Sequence, residues 1–257
     1  MQISIITVTY NCRELLPQTL ESVQRQTFPS MEHIIVDGAS SDGTVDLIRT
    51  HKANPEARPG AWVSEPDKGI YDAMNKGLRM ARGEYVLFLN AGDTFFSGAT
   101  LAEVFSGVNN VSGETTVTPE ADIYYGQTKI INAEGHMIGD RRLRAPEQLN
   151  WKSFRYGMLV CHQSFIVRRS IAPEYDLYWP ICSDIDWCIR CMKAAGDGKI
   201  SYTQSYISCF LEGGFSAQQE KKAWKERFLI MKKHYGTGTT LLSHLYIAAR
   251  FLRRTSQ

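Results

Sequence analysis

The sequence lacks any apolar run long enough to cross a membrane. The most apolar stretch, residues 241–252, is interrupted by Ser243, His244 and Arg250, whereas a spanning helix needs about 20 apolar residues. No basic segment precedes the first strand-like run at residues 3–8, so a secretory signal is not expected. With 43% hydrophobic and 22% charged residues among 257, the composition indicates a globular chain with a buried core.

Cysteines are few and scattered, and in a chain of this size they indicate reduced thiols of the cytosol rather than a disulfide framework. Cys188 and Cys191 have the spacing of half a zinc site, but no second pair exists, so buried thiols are the better interpretation. The six positions are Cys12, Cys161, Cys182, Cys188, Cys191 and Cys209.

Glycine is missing where two classes of nucleotide-binding protein require it. Residues 7–14, which follow the first predicted strand, contain no glycine. Nucleotidyltransferases open with a Gly-rich phosphate loop, and dinucleotide-binding oxidoreductases carry G-x-G-x-x-G at this point. The absence argues against both classes.

Charge is small in total but unevenly distributed. Residues 218–257 contain nine basic and two acidic residues, a net +7, which leaves −5 for residues 1–217 of the total of +2. The tail also places Leu241, Leu245, Ala248 and Leu252 on one predicted helical face. Two interpretations stay open: a helix packed on the body with a solvated basic end, or contact with an anionic membrane surface.

Strand and helix patterns alternate through the first half of the chain. Short apolar runs at residues 3–8, 33–36, 61–64 and 85–89 predict strands, and apolar residues recur at helical spacing from residue 15, from residue 45 and over residues 70–80. Such alternation predicts an α/β fold with a Rossmann-like, mostly parallel sheet and helices on both faces.

The pattern changes after a polar segment at residues 106–120, which predicts a surface loop. Strands are predicted at residues 123–125, 128–131, 164–167 and 200–210, and helices at residues 184–192, 218–234 and 240–254. We therefore expect a small second sheet, C-terminal helices, and a division into residues 1–216 and a basic helical extension of residues 217–257.

Four polar motifs follow the four predicted strands of the first half, at residues 9–11, 37–44, 65–77 and 90–93. Each motif alone is typical of a turn. Because ligands bind at the carboxyl ends of parallel strands, the four together predict an acid-lined crevice at one sheet edge.

The order of these motifs resembles the inverting family-2 glycosyltransferases of the GT-A fold, including bacterial enzymes of the colanic-acid type that build exopolysaccharide or O-antigen. The resemblance covers residues 1–216, and the stretch at residues 65–77 is its most specific part. The matching motifs stand at residues 36–44, 64–77, 88–93, 162–163, 183–184 and 213–216.

The resemblance implies transfer of a sugar from a nucleotide-sugar donor to a hydroxyl of a glycan acceptor, lipid-linked and at the cytoplasmic face of the membrane. Asp184 matches the general base, and Asp93 matches the ligand of a divalent Mg²⁺ or Mn²⁺. Donor-binding positions carried over from the family are Thr9, Asn11, Asp37, Asp67, Lys68, Asn75, Asn90, His162 and Gln163.

This sequence departs from the family at three positions, because Gly38, Asn90 and Gly92 stand where relatives often have acids. Asp186 lies close enough to Asp184 to be mistaken for the base. Two other functions stay open: a nucleotidyltransferase, and a sugar-nucleotide-binding subunit without catalysis.

Overall fold

The computed structural model describes residues 1–106, 108–111, 114–117, 120–196, 199–213 and 219–252. Within these ranges the chain forms seven α-helices and eleven strands. The helices are α1 Leu16–Gln24, α2 Thr44–Ala53, α3 Ile70–Met80, α4 Thr100–Ser106, α5 Ser183–Ala195, α6 Glu220–Tyr235 and α7 Thr237–Leu252. The strands are β1 Ile3–Thr9, β2 Met31–Asp37, β3 Trp62–Ser64, β4 Tyr85–Phe88, β5 Thr94–Phe95, β6 Val108–Val111, β7 Glu114–Val117, β8 Ile123–Ile131, β9 Met137–Asp140, β10 Phe165–Arg168 and β11 Ile200–Leu211.

The fully buried strand β1 organises the sheet, pairing in parallel with β2 on one side and β4 on the other. The strand order is β3-β2-β1-β4-β10-β8-β11-β5, with β9 paired to β8. The first four strands are parallel, and β10 is antiparallel to both β4 and β8. The predicted α/β fold is confirmed.

Apolar residues alternate between two helix layers, which explains why the strands are apolar without interruption. On β2, Ile35 packs with Leu16 and Ile48 of α1 and α2, whereas Ile34 and Val36 join the cluster that contains α3. Gly77 of α3 lies so close to β1 that a Cβ there would be 2.3 Å from Cγ2 of Ile6.

The second half differs from prediction in three respects. The runs at residues 123–125 and 128–131 are one strand, β8, which belongs to the main sheet. The polar segment at residues 106–120 was wrongly predicted as a loop, because β6 and β7 form an antiparallel hairpin that is the small second sheet. Strands β5 and β9 were missed because two- and four-residue strands leave no periodic signal.

The C-terminal helices pack differently from each other. Helix α6 buries Ile230 and Met231, and Ile230 joins the main core. Helix α7 instead buries Thr240 and Ser243, while its large apolar side chains point outward. These are Leu241, Leu242, Leu245 and Tyr246, which are 50–70% exposed.

The side chains of Ala248, Leu252 and Arg250, like residues 214–216 of the last family motif, lie outside the described part of the chain. No described helix is long and apolar enough to span a membrane.

Candidate active site

The polar motifs meet at the carboxyl edge of the parallel strands, as predicted. Thr9 at the end of β1 is in register with Asp37, and Asp37 is in register with Ser64. The motif after β4 joins them because the Ala91 N–H donates to the Val8 carbonyl at 3.1 Å. Parallel pairing therefore collects the strand-end side chains into one crevice.

Asp37 is fully buried and organises the loop that follows it. Its carboxylate accepts hydrogen bonds from the backbone N–H and hydroxyl of Ser40, at 2.9 and 2.5 Å, and from the Ser64 hydroxyl at 2.6 Å. Asn11, with a φ of 48°, accepts from the Ser41 N–H at 2.9 Å. These contacts hold the β1 and β2 loops together.

Asp67 occupies the space that a side chain at position 38 would need. A Cβ on Gly38 would lie 2.5 Å from Oδ2 of Asp67, whose Oδ1 accepts from the Gly69 N–H at 2.8 Å. Lys68 beside it is exposed. Thr9 Oγ1 is buried and has no hydrogen-bond partner among the described residues. The crevice wall therefore carries the carboxylate of Asp67 in the space next to residue 38.

Asn75 binds the chain rather than facing the crevice. Its Nδ2 donates to the Tyr175 carbonyl at 3.0 Å, and its Oδ1 accepts from the Tyr175 N–H at 2.7 Å. The Tyr175 ring stacks between Tyr71 and Trp187, with centroids 5.2 and 5.0 Å away. Because both ends of the buried amide are engaged, we leave Asn75 out of the proposed donor site.

Asp93 is a buried carboxylate with two protein partners. Gln163 Nε2 donates to Oδ2 at 2.7 Å, and the Leu211 backbone N–H donates to Oδ1 at 2.9 Å. Burial raises the pKa of Asp93 to about 6, although both hydrogen bonds act in the opposite direction. Gln163, predicted to contact the nucleotide-sugar donor, is thus hydrogen-bonded to Asp93, the predicted metal ligand.

The residues around Asp93 fit a divalent cation in one specific way. Each carboxylate oxygen keeps a second lone pair after accepting one hydrogen bond. Asn90 Oδ1 nearby is buried and unpartnered among the described residues, and it is the hard oxygen ligand that Mg²⁺ and Mn²⁺ accept. Among all the residues that the structure describes, there is no cluster of three or more His, Cys, Asp or Glu that could form a protein-only metal site.

His162 connects the end of β4 to the start of α5. Its Nδ1 lies 3.5 Å from Oδ2 of Asp184, and its Nε2 lies 3.4 Å from Nδ2 of Asn90. The imidazole is buried. One ring thus spans the crevice between the predicted metal side and the predicted base.

Asp184 lies at the N-terminus of α5, with its side chain 19% exposed. The Tyr71 hydroxyl lies 3.1 Å from Oδ1 of Asp184 and 2.8 Å from the Ile181 carbonyl. Burial raises the pKa of Tyr71 well above its usual value, so this hydroxyl remains a donor at neutral pH. Tyr71 was not singled out from the sequence, although it lies within the most specific motif.

Asp186 has a different environment. It is fully buried, and its carboxylate contacts Arg190 at 2.6 Å, Lys233 at 3.0 Å and His234 at 2.8 Å. Burial alone would raise its pKa, but hydrogen bonds from these three partners hold the pKa of Asp186 well below its usual range. Asp186 therefore ties α5 to α6.

Comparison with known proteins identifies the family of the chain. Residues 4–175 match glycosyl transferase family 2, and the chain belongs to that family. A glycosyltransferase of PGL/p-HBAD biosynthesis from Mycobacterium bovis is 32% identical over 196 residues, covering 74% of this chain and 69% of the relative.

Two solved structures share the fold. One is S. aureus TarS 1–349 in complex with UDP-GlcNAc, with a TM-score of 0.66 and 19% identity, covering 90% of this chain and 65% of TarS 1–349. The other is the mannosyltransferase PcManGT from Pyrobaculum calidifontis in complex with GDP-Man and Mn²⁺, with a TM-score of 0.55 and 16% identity, covering 96% of this chain and 75% of that one. Both confirm the GT-A fold.

Replacement of Asp186 by Asn tests its structural role. Breaking a buried ion-pair network should lower the free energy of unfolding at pH 7 by about 3 kcal/mol. Because the folded pKa lies below the unfolded one, this stabilisation is present above about pH 4 and is lost as the pH falls below it. Urea denaturation of wild type and Asp186→Asn at pH 7 and pH 3 should show the difference shrinking. An equal difference at both pH values would contradict the assignment.

Proposed function

We propose that the chain transfers a sugar from a nucleotide-sugar donor to a hydroxyl group of a glycan acceptor, with inversion at the anomeric carbon. The observation that carries the proposal is the contrast at the start of α5. Asp184 is partly exposed beside His162, whereas Asp186 is buried against Arg190, Lys233 and His234. This contrast supports Asp184, rather than Asp186, as the carboxylate that meets a substrate.

Asp184 acts as the general base in this proposal. Its carboxylate removes the proton of the acceptor hydroxyl while that oxygen attacks the anomeric carbon, and the nucleoside diphosphate leaves from the opposite face. The Tyr71 hydroxyl at 3.1 Å and the Ile185 N–H at 3.0 Å orient the carboxylate. Among the described residues no second nucleophile is apparent on the donor side, which favours a single displacement.

The residues at the ends of the parallel strands would bind the donor. Thr9 Oγ1 is an unpartnered buried group, Asp67 and Lys68 lie at the rim, and Asn11 and Asp37 shape the loops around them. TarS is described with UDP-GlcNAc and PcManGT with GDP-Man, which supports a nucleotide-sugar as donor. His162 and Gln163 would close the crevice opposite these residues.

Asp93 and Asn90 would hold Mg²⁺ or Mn²⁺ together with phosphate oxygens of the donor. The Mn²⁺ in the PcManGT complex supports this choice of metal. When bound, the cation would neutralise charge on the leaving diphosphate. Gln163 and Leu211 fix the orientation of the Asp93 carboxylate whether or not a cation is bound.

The acceptor is proposed to be a lipid-linked glycan of bacterial surface polysaccharide biosynthesis, met at the inner face of the plasma membrane. The outward apolar side chains of α7 support a membrane-surface location, as do the exposed Lys221, Lys222 and Lys225 of α6. Trp224 connects these two features, because it is exposed and its ring lies 6.4 Å from that of His244 on α7.

Replacing Asp184 by Asn tests the base. Turnover should fall roughly 10²- to 10⁴-fold, since a general base contributes about that much, while donor affinity stays nearly unchanged. Release of nucleoside diphosphate from a panel of UDP-, GDP- and dTDP-sugars measures both. Asp46→Asn, at an exposed carboxylate in α2, is the matched control and should keep full activity.

Two results would contradict this assignment. If Asp184→Asn turned over as fast as the wild type, Asp184 would not be the general base. If NMR showed that the product retains the anomeric configuration, a single displacement would be excluded. Absence of turnover by the wild type with every donor and acceptor would instead favour the non-catalytic subunit.

Removal of the metal tests the role of Asp93 and Asn90. EDTA should abolish most of the activity, and added Mn²⁺ should restore it. Asn90→Ala should raise the Mn²⁺ concentration needed for half-maximal activity and change the unfolding transition little, because Asn90 Oδ1 has no partner among the described residues and Nδ2 makes only the long 3.4 Å contact with His162. Asp93→Asn should cost most of the activity. Full wild-type activity in EDTA would refute the metal.

Vesicle sedimentation tests the membrane contact. We expect binding to anionic vesicles that weakens with salt, because each basic residue near such a surface contributes about 1 kcal/mol. Leu242→Ser combined with Leu245→Ser should reduce binding, whereas Leu177→Ser, an exposed leucine outside α6 and α7, should not. Equal binding to neutral and anionic vesicles would contradict the electrostatic part.

A further inference from the structure

Among the described residues, three arginines near the proposed base have no carboxylate partner. Arg141 and Arg142 follow β9, and Arg227 lies in α6. Within the described part of the chain, none of the three forms an ion pair with Asp or Glu. The contacts they do make are weak ones for a guanidinium: Arg141 donates to the Leu143 carbonyl at 3.2 Å, and Arg227 lies over the Trp224 ring, 5.9 Å from its centroid.

The fold brings Arg227 to the acceptor side of Asp184. Its neighbour Glu226 accepts hydrogen bonds from the backbone N–H groups of Ile181 and Cys182, both at 3.0 Å, immediately before α5 begins. Asp184 is the second residue of that helix. Helix α6 is therefore anchored directly beside the base.

Gly157 leaves room for the Arg227 guanidinium. A Cβ at Gly157 would lie 3.1 Å from Nη2 of Arg227 and 2.9 Å from Cδ1 of Leu143. Leu143 follows Arg141 and Arg142, so the segment that carries these two arginines and the helix that carries Arg227 meet at this glycine. Its φ of 126° also favours glycine on backbone grounds.

This arrangement is costly without a bound anion. Burial lowers the pKa of Arg227, and the positive charges of Arg141 and Arg142 act in the same direction, opposed by Cys182 and Asp184. A partly buried charge without a hydrogen-bonded counter-ion is unfavourable. Guanidinium groups bind phosphate through paired N–H donors, so a phosphate group is the natural counter-ion.

A groove of about 510 Å³ lies between α7 and the 3₁₀ turn Ser153–Tyr156, which ends at Gly157, the residue beside the Arg227 guanidinium. Arg155 contributes an Nε that is buried and unpartnered among the described residues. The other lining residues are Tyr156, Thr239, Leu242, Ser243 and Tyr246. The groove is thus largely apolar, with the guanidinium of Arg155 among its lining groups.

We propose that Arg141, Arg142 and Arg227 bind the phosphate or diphosphate of an acceptor whose apolar chain lies in the groove beside α7. The acceptor sugar would then extend toward Asp184. This inference rests on the proposed function in naming the bound molecule an acceptor, but the anion site itself is independent of catalysis. The same chemistry could serve the donor diphosphate, so the experiment must separate these two sources.

Calorimetric titration with geranyl diphosphate tests the site. The wild type should bind this probe, and saturating UDP or GDP should not displace it, because the donor lies at the strand ends. Arg142→Gln and Arg227→Gln should each weaken binding roughly tenfold or more. Arg227→Lys should lose less, since it keeps the charge. Arg49→Gln, at an exposed arginine of α2, is the matched control.

Thermal unfolding of each variant checks folding. If Arg227→Gln does not fold, probe binding by Arg142→Gln, at an exposed arginine, tests the proposal. Displacement of the probe by UDP or GDP, with loss of nucleotide affinity in the arginine variants, would assign the arginines to the donor and overturn the proposal. No binding by the wild type, or equal binding of geraniol, would also overturn it. Asp184→Asn should bind the probe normally, so failure of the base leaves this result unaffected.

Discussion

The buried carboxylate of Asp93 is the contact on which the rest of the crevice depends. It accepts one hydrogen bond from Gln163 and one from the Leu211 backbone, so it joins the end of β4 to the 3₁₀ turn His162–Ser164 and to the end of β11. Because His162 precedes Gln163 and reaches toward Asp184, the position of the imidazole follows from this one carboxylate. Burial raises the pKa of Asp93. The two hydrogen bonds stabilise the charged carboxylate and oppose part of that rise in pKa.

The same contact explains why this chain departs from the family at Gly92. A Cβ there would lie 2.7 Å from Cδ2 of Leu211, and the φ of 98° favours glycine. A second acid at position 92 would therefore displace the side chain of Leu211, whose backbone N–H binds Asp93. The proposed metal site would have one carboxylate and the amide oxygen of Asn90, and more of its coordination shell would come from donor phosphate and water.

Local patterns predicted the fold well, and non-local contacts limited the prediction of the site. Helix α3 has the predicted bounds because its apolar residues repeat at helical spacing. The partners of Tyr71 and Asn75 lie 113 and 100 residues away, so no local pattern reveals them. The family resemblance already favoured Asp184 over Asp186, and the structure adds a physical contrast between these two acids of the first turn of α5. Successive helical residues are rotated by about 100°, so two acids two residues apart face nearly opposite directions.

Because of this rotation, the two acids of α5 contact different elements, and one of them connects α6 to the candidate site. Asp184 faces the crevice, while Asp186 faces Lys233 and His234 of α6 and holds that helix against α5. Glu226 of α6 binds the two residues that precede α5, and Arg227 follows it. A boundary between residues 216 and 217 would thus separate the base from the residues that fix its helix. The family match ends at residue 175, before α5 and α6 begin. The proposed donor residues, together with Arg141 and Arg142, therefore lie within the segment that matches the family, whereas the proposed base Asp184 and Arg227 lie beyond it.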